Sequence, residues 1–299
     1  MTDYSVLLPC VPRRLEQALP FAGLVRWTGA SRLWQGQAMV MEPHQTFTGL
    51  AGAGFRVPTG FGVTLMPLRH PYEAALQARS VALATGEPVI AGFGPGSTAF
   101  QENILGAPYE KPLQVARQYV TAVRRLLDGE TVDHEGPHVT LRQATVGVAA
   151  AQLRIPLLVG GNGDAVLATA AVHADTVGLV GFTSGTGRRH TNLSHFTWAG
   201  LEERIAHVRR AAGSRADTLE LNVLVQMVRG GDRAASADEV GAAFHQPAEL
   251  VLDSPFVMLG DTGAMVDHVQ RLRAAGVSYV VAFAERGAAD LAPVIGRVR

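Results

Sequence analysis

The chain has 299 residues, with 26 Lys+Arg against 26 Asp+Glu, so its formal net charge is zero. That balance removes the electrostatic argument for nucleic acid or an anionic membrane surface as the main partner. A single cysteine, Cys10, excludes an intramolecular disulfide framework and any multi-cysteine metal centre. The 47% hydrophobic content supplies a globular core. The N-terminal MTDYSVLLP has no basic region before its short apolar run, and no apolar stretch reaches the roughly 18 residues of a membrane span. A cytoplasmic protein is the expectation.

In chain order, apolar or β-branched runs predict strands at Tyr4–Pro9, Leu33–Gln37, Thr59–Met66, Val89–Phe93, Leu157–Val159, Thr176–Val180, Leu219–Val228 and Ser278–Phe283. Helical patterns lie between them. The first runs from Pro71 to Thr85, closed by Gly86 and the breaker Pro88. Next comes Pro112–Asp128, where Leu113, Ala116, Val120, Val123 and Leu127 recur at spacings of three and four. Another starts near Asp164. A further one covers Trp198 to Ala212, with Thr197 as cap and Leu201, Ile205, Val208 and Ala212 as its stripe. The last spans Gly263 to Ala275. Parallel strands need crossovers of this length, and the right-handed repeat curls into a barrel. The expected fold is α/β: one (β/α)8 TIM barrel over residues 1–299, with insertions at the C-terminal face of its strands. Residues 38–56 read as an open glycine- and polar-rich loop, 129–152 as a hairpin, and 181–197 as a second long loop. Phe256–Leu259 reads as a connector.

Two glycine elements stand out. Gly160-Gly161-Asn162-Gly163-Asp164 follows a strand and opens a helix, where bare amides bind phosphate. An ordinary tight turn with Asp164 as N-cap accounts for it equally. It is not a G-x-G-x-x-G dinucleotide fingerprint. The second element is Gly60-Phe61-Gly62-Val63-Thr64 with Gly92-Phe93-Gly94-Pro95-Gly96 on the neighbouring strand. Alternate glycines leave room for a planar heterocycle or for close packing inside a barrel. Other candidates carry less. His134 and His138, and His190 and His195, are pairs without a third ligand and suit the surface. His70 is placed to cap the helix after it. His44, on the loop after the second strand, has a catalytic chance. No G-x-S-x-G elbow exists, and Cys10 suits a small buried hydrophobe.

Taken in order, VPTGFGVTLMPLRHPYEAALQARSVALATGEPVIAGFGPG, PLQVARQYVTAVRRLLDGE, HEGPHVTL, RIPLLVGGNGDAVLATAAVHADTVGL and the C-terminal LNVLVQMV…LDSPFVMLGDTGAMVDHVQRLRAAGVSYVVAF resemble the luciferase-like monooxygenase superfamily, and most of all its deazaflavin branch. The resemblance implies a barrel that holds coenzyme F-420, or FMN, at the C-terminal end of its strands. It places a non-proline cis peptide at Gly62–Val63, with Thr64 following, and the cofactor phosphate on Gly160, Gly161, Asn162 and Gly163. Gly94, Gly96 and Ser97 fall beside the ring. Thr183 and Ser184 fall near the cofactor tail, and Arg188 and Arg189 within reach of its acidic end. Relatives are commonly homodimers through helices beside the barrel, and the stripe of Ala75, Ala78 and Ala82 permits such packing.

The departures bear on the substrate. In alcohol-oxidising relatives the second strand ends in an acid and a histidine, and a glutamate follows the fourth. Here those positions are Gln37, Ala38 and Ser97. Alcohol oxidation needs a positioned base, so reduction of an activated alkene is favoured. The N-terminal YSVLLPCVPRR and RLWQGQ resemble the reductases that convert dehydroalanine to D-alanine in lanthipeptide precursors. The expected partner is therefore a modified precursor peptide or a small activated alkene. Trp34 and Gln37 are expected to line its space, with His44 as candidate proton donor. An FMN-dependent monooxygenase and a non-catalytic cofactor-binding protein are the alternatives.

Overall fold

The structure is a computed structural model. It describes residues 3–8, 13–37, 40–107, 109–147, 153–181, 183–184, 191–283, 289 and 291–298, with 98–99, 183–184 and 191–192 as backbone only. The strands are β1 (Asp3–Leu7), β2 (Leu33–Gln35), β3 (Thr59–Phe61), β4 (Thr64–Leu65), β5 (Val89–Gly94), β6 (Val132–Glu135), β7 (Thr140–Ala144), β8 (Leu157–Gly161), β9 (Thr176–Leu179), β10 (Thr183–Ser184), β11 (Thr191–Asn192), β12 (Glu220–Val225), β13 (Met227–Gly230), β14 (Val257–Gly260) and β15 (Tyr279–Phe283). The helices are α1 (Leu19–Thr28), α2 (Pro43–Gly52), α3 (Pro71–Thr85), α4 (Thr98–Leu105), α5 (Pro112–Leu127), α6 (Asp164–His173), α7 (Trp198–Ala212), α8 (Arg233–Phe244), α9 (Ala248–Leu252), α10 (Thr262–Ala274) and α11 (Ala292–Ile295).

Eight parallel barrel strands run in the order β3-β2-β1-β15-β12-β9-β8-β5, and β5 pairs back onto β3 through Thr59–Val89 and Gly60–Ile90 to close the ring. Helices surround it, so this is the expected (β/α)8 barrel, and each predicted strand run contributes to it. Parallel strands buried on both faces read as unbroken apolar runs, and alternation sorts their side chains. In β15, Tyr279 and Val281 point into the lumen with Trp34, Ile90 and Leu158, while Val280 and Ala282 face the helices. α7 follows its predicted bounds, and the Thr197 hydroxyl caps it by accepting from the Gly200 amide at 3.2 Å. His70 caps α3, accepting from the Tyr72 amide.

Several expectations are corrected. Residues 38–56 are not an open loop throughout. Pro43–Gly52 forms α2, because Pro43 suits the first turn, Glu42 caps it, and Phe47 and Leu50 bury against the barrel. The run Leu219–Val228 is two strands: β12 stays in the barrel, whereas β13 leaves to pair with β14, the strand that replaces the expected Phe256–Leu259 connector. Leu113 is exposed on α5, and Val115, Tyr119 and Leu126 complete its buried face. The Ala75, Ala78 and Ala82 stripe is buried inside this chain, where it brings α3 close to its neighbours, so it is not a subunit face. Asp164 is not the cap of α6. Gly163 holds that position and Asp164 begins the helix. The hairpin is present as β6–β7. Cys10, Ala38, Arg188, Arg189 and His190 lie outside the described residues. Among the described residues, no helix is long and apolar enough to cross a membrane.

Candidate functional site

A cavity of about 460 Å³ opens at the C-terminal ends of the barrel strands. Three glycine segments form its walls: Gly62–Val63 between β3 and β4, Gly94–Ser97 at the end of β5 and beyond it, and Gly160–Gly163 from the end of β8 to α6. The peptide bond Gly62–Val63 is cis. Trp34 and Leu158 line the lumen side, and Val180, Leu224 and Val281 close the wall opposite Val63. Trp34 stacks on Tyr279 with ring centroids 5.8 Å apart and is fully buried, so it serves the core and the cavity together.

The bareness of these strands has mixed causes. A Cβ on Gly60 would lie 2.5 Å from the Trp34 ring, and one on Gly94 would lie 2.8 Å from Val63 Cγ2. Those glycines make room for neighbouring protein atoms. At Gly163 a Cβ would meet nothing within 4 Å. There the backbone faces open space at the start of α6, whose first-turn amides have no intrahelical acceptor. Beside them, Asn162 is buried and its Oδ1 has no hydrogen-bond partner. A buried acceptor without a donor is costly unless a ligand supplies one. An apolar slot that ends in free helix amides fits a flat ring system carrying a phosphate, and the unmet Asn162 oxygen suits a hydroxyl donor on the same ligand. Gly160, Gly161, Asn162 and Gly163 would hold the phosphate end, and Gly62, Val63, Gly94 and Gly96 the ring.

Asp164, at the first position of α6, sets a negative charge beside this anion site. Arg204 from α7 is buried and ion-paired to it and to Glu203 at 2.8 Å, and that hydrogen bond and charge hold the Asp164 carboxyl below its usual range. Asp164→Asn should therefore tighten binding of a phosphate-bearing cofactor roughly two- to fivefold, and Arg204→Met should weaken it. Fluorescence titration with F-420 and FMN reads both changes.

The remaining predicted residues are less directly placed. Ser97 sits on the rim, but its Oγ caps α4 by accepting from the Phe100 amide at 3.1 Å. Thr64 is buried and donates to the Gly92 carbonyl. Thr183 and Ser184 form β10, paired with β11. Gln37 and His44 are not among the residues that line the cavity. Both belong to a cluster behind the Gly62–Val63 wall. Arg69 donates to Gln37 Oε1 at 2.8 Å and to Glu42 Oε1 at 2.6 Å, and His44 Nδ1 lies 2.7 Å from the same carboxylate. The His44 ring packs on Phe61 with centroids 4.3 Å apart, on the outer face of the barrel. The Gln37 amide donates to the Val63 carbonyl at 2.8 Å, which ties the cluster to the cavity wall.

Burial alone would raise the Glu42 carboxyl. The hydrogen bond from His44 and the charges of His44 and Arg69 outweigh burial and leave it lowered. A carboxyl lowered on folding contributes stability that is complete above its unfolded pKa and is lost as pH falls through the folded value. Glu42→Gln should lower stability at pH 7 and flatten the acid arm of the stability profile, as followed by urea unfolding from pH 7 to 3.

The fold and cavity define a (β/α)8-barrel protein with its site at the strand C-termini, where such barrels build their chemistry. The sequence profile of the luciferase-like monooxygenases matches residues 9–267, and the chain belongs to that family. An uncharacterized protein of Mycobacterium tuberculosis is 32% identical over 118 residues, 39% of this chain and 40% of that one. The 5,10-methylenetetrahydromethanopterin reductase of Archaeoglobus fulgidus is 26% identical over 227 residues, 73% of this chain and 61% of that one. The matches thus span less than two thirds of these relatives. Among solved structures, an F-420-dependent secondary alcohol dehydrogenase in complex with an F-420–acetone adduct superposes with a TM-score of 0.77 at 15% identity, covering 100% of this chain and 99% of that one. The oxygenating constituent of the Pseudomonas putida 3,6-diketocamphane monooxygenase, in complex with FMN, gives 0.69 at 12%, covering 99% and 95%. These two establish the shared fold.

Proposed function

We propose that the protein is an F-420-dependent reductase of activated carbon–carbon double bonds, with a dehydroalanine residue in a lanthipeptide precursor as substrate. The observation that carries this reading is the chemistry of the cavity wall. Among the described residues, no Asp, Glu, His, Lys, Arg, Cys or Tyr side chain lines it. Oxidation of an alcohol needs a base within hydrogen-bond reach of the hydroxyl. Reduction of an electron-poor alkene needs none there, because a weak acid or water can supply the proton. The titratable pair nearest in sequence to the second strand, Glu42 and His44, is engaged with Arg69 and Phe61 behind the wall. The reduced deazaflavin, when bound, supplies the hydride.

In this reading the protein's own task is placement and exclusion. Trp34, Leu158, Val180, Leu224 and Val281 give the alkene an apolar wall, the α6 amides hold the phosphate end of the cofactor, and Asn162 Oδ1 accepts from a hydroxyl of its tail. The Archaeoglobus relative is named a reductase, which supports reduction over oxygenation. Catalysis in a homodimer is part of the same proposal.

The test incubates the protein, reduced F-420 and a dehydroalanine-containing peptide. A mass gain of two hydrogens is expected, with no turnover when FMN and a flavin reductase replace F-420. Oxygen uptake with bound FMN would support the monooxygenase instead. Oxidation of a small alcohol, without any gain in peptide mass, would reject the substrate class.

A further inference from the structure

A second cavity, of about 240 Å³, lies outside the barrel where α7, α8, α9, α10 and β14 meet. It shares no lining residue with the first. Its lining is mostly polar, with a small apolar floor of Val251, Val257 and Leu259, and Arg233 and Arg271 bring two cations to it. The Arg271 guanidinium carbon sits 3.9 Å from the centroid of the Trp198 ring. Stacking on an indole fixes the plane of a guanidinium and leaves its N–H edge available to an oxyanion. Arg233 has one long bond, 3.5 Å to the Leu252 carbonyl. Among the described residues, neither arginine joins an ion pair.

The remaining ionisable groups of the lining are Asp267 and His268. His268 Nε2 donates to the Pro255 carbonyl at 3.0 Å. Burial, and the charges of Arg233 and Arg271, press its pKa down to about 4, so it is neutral at pH 7 and leaves Nδ1 as an acceptor. An anion is thus drawn to the arginines and away from His268. Two arginines against one aspartate leave one surplus positive charge, which a monoanion balances. The volume falls below the roughly 300–1,000 Å³ usual for drug-sized ligands and cofactors.

We propose that this crevice binds a small organic carboxylate with an apolar body, its carboxylate forked by Arg233 and Arg271 and its body against Val257 and Leu259. This site is independent of the function proposed for the barrel cavity.

The test is a titration of the full chain with 4-fluorobenzoate, read by fluorine NMR line width, with 4-fluorobenzamide as the neutral counterpart. Saturable benzoate binding that weakens with added salt is expected, with the amide at least about tenfold weaker. Arg233→Met and Arg271→Met should each weaken benzoate binding about tenfold or more. Melting temperatures of both variants are followed alongside. Should Arg271→Met fail to fold through loss of the Trp198 contact, Arg233→Met decides, since Arg233 has no comparable packing. A dipeptide ending in 4-fluorophenylalanine separates two sources of the carboxylate. Affinity equal to that of benzoate points to a peptide C-terminus, and weaker affinity to a free acid. Equal binding of acid and amide, unchanged affinity in the variants, or absence of saturable binding would overturn the proposal.

Discussion

Gly163→Val leaves the barrel folded and abolishes cofactor binding. The backbone there has φ −79° and ψ 140°, a conformation open to any L-residue, and a Cβ would meet no protein atom within 4 Å. The fold therefore tolerates the side chain. The same empty space is where a phosphate would approach the first amides of α6, so isopropyl methyls would stand in its place. Hydrogen bonds to charged groups are worth about 1.5–3 kcal/mol each, so losing two lowers affinity roughly hundredfold or more. Fluorescence titration with F-420 and with FMN measures the loss, and an unchanged melting temperature shows that the fold is intact. Gly161 is a poorer probe. A Cβ there would press on Val166 Cγ1 at 2.8 Å, so reduced binding would mix a steric effect on α6 with an effect on the anion. Full affinity in Gly163→Val would refute the phosphate assignment.

The barrel was legible because its strands are buried on both faces. Leu157-Leu158-Val159 and Tyr279-Val280-Val281 are apolar at every position, and the helices between them carry plain caps and stops such as Thr197 and Gly86. What periodicity missed was decided by contacts distant in sequence. α2 was hidden by its polar and glycine content; its Glu42 cap is local, but what holds the helix in place is Phe47 packing on Phe61, fourteen positions on. β13 was hidden because the chain from Leu219 to Val228 is rich in Leu and Val with no Gly or Pro to break it, and only pairing with β14 separates it from the barrel.

The site divides in the same way. The glycine segments stood out locally, whereas their causes did not. Trp34 fills the space over Gly60, and that is a contact between strands. Val180, Leu224 and Val281 lie within predicted strands and were reachable by tracing the lumen-facing alternation. Asn222 was reachable too, as the polar residue within the run Leu221–Val225. The pairing of Glu42 with Arg69 carried no sequence signal, because 27 positions separate the two and no local pattern couples them.

Gly92→Ala should be the most damaging single methyl addition in the barrel wall. A Cβ at that position would overlap the Phe61 carbonyl oxygen and lie 3.0 Å from its carbonyl carbon. Backbone cannot swing aside as a flexible side chain does, so β3 and β5 would have to separate where they close the ring. Overpacking a core costs about 1–3 kcal/mol, occasionally more, and displacement of a strand puts this case at the upper end. At roughly 2–4 °C per kcal/mol for a chain somewhat smaller than this one, the melting temperature should fall by about 5–10 °C. Cofactor affinity should fall with it, because Gly62 and Val63, next to the displaced Phe61, line the cavity. Gly52→Ala is the control. It adds the same methyl near the end of α2, where nothing lies within 4 Å, and should be neutral or stabilising by up to about 1 kcal/mol. Thermal unfolding of the two variants beside the parent decides the matter. Equal melting temperatures would show that β3 and β5 are not in the close contact on which the cavity wall depends.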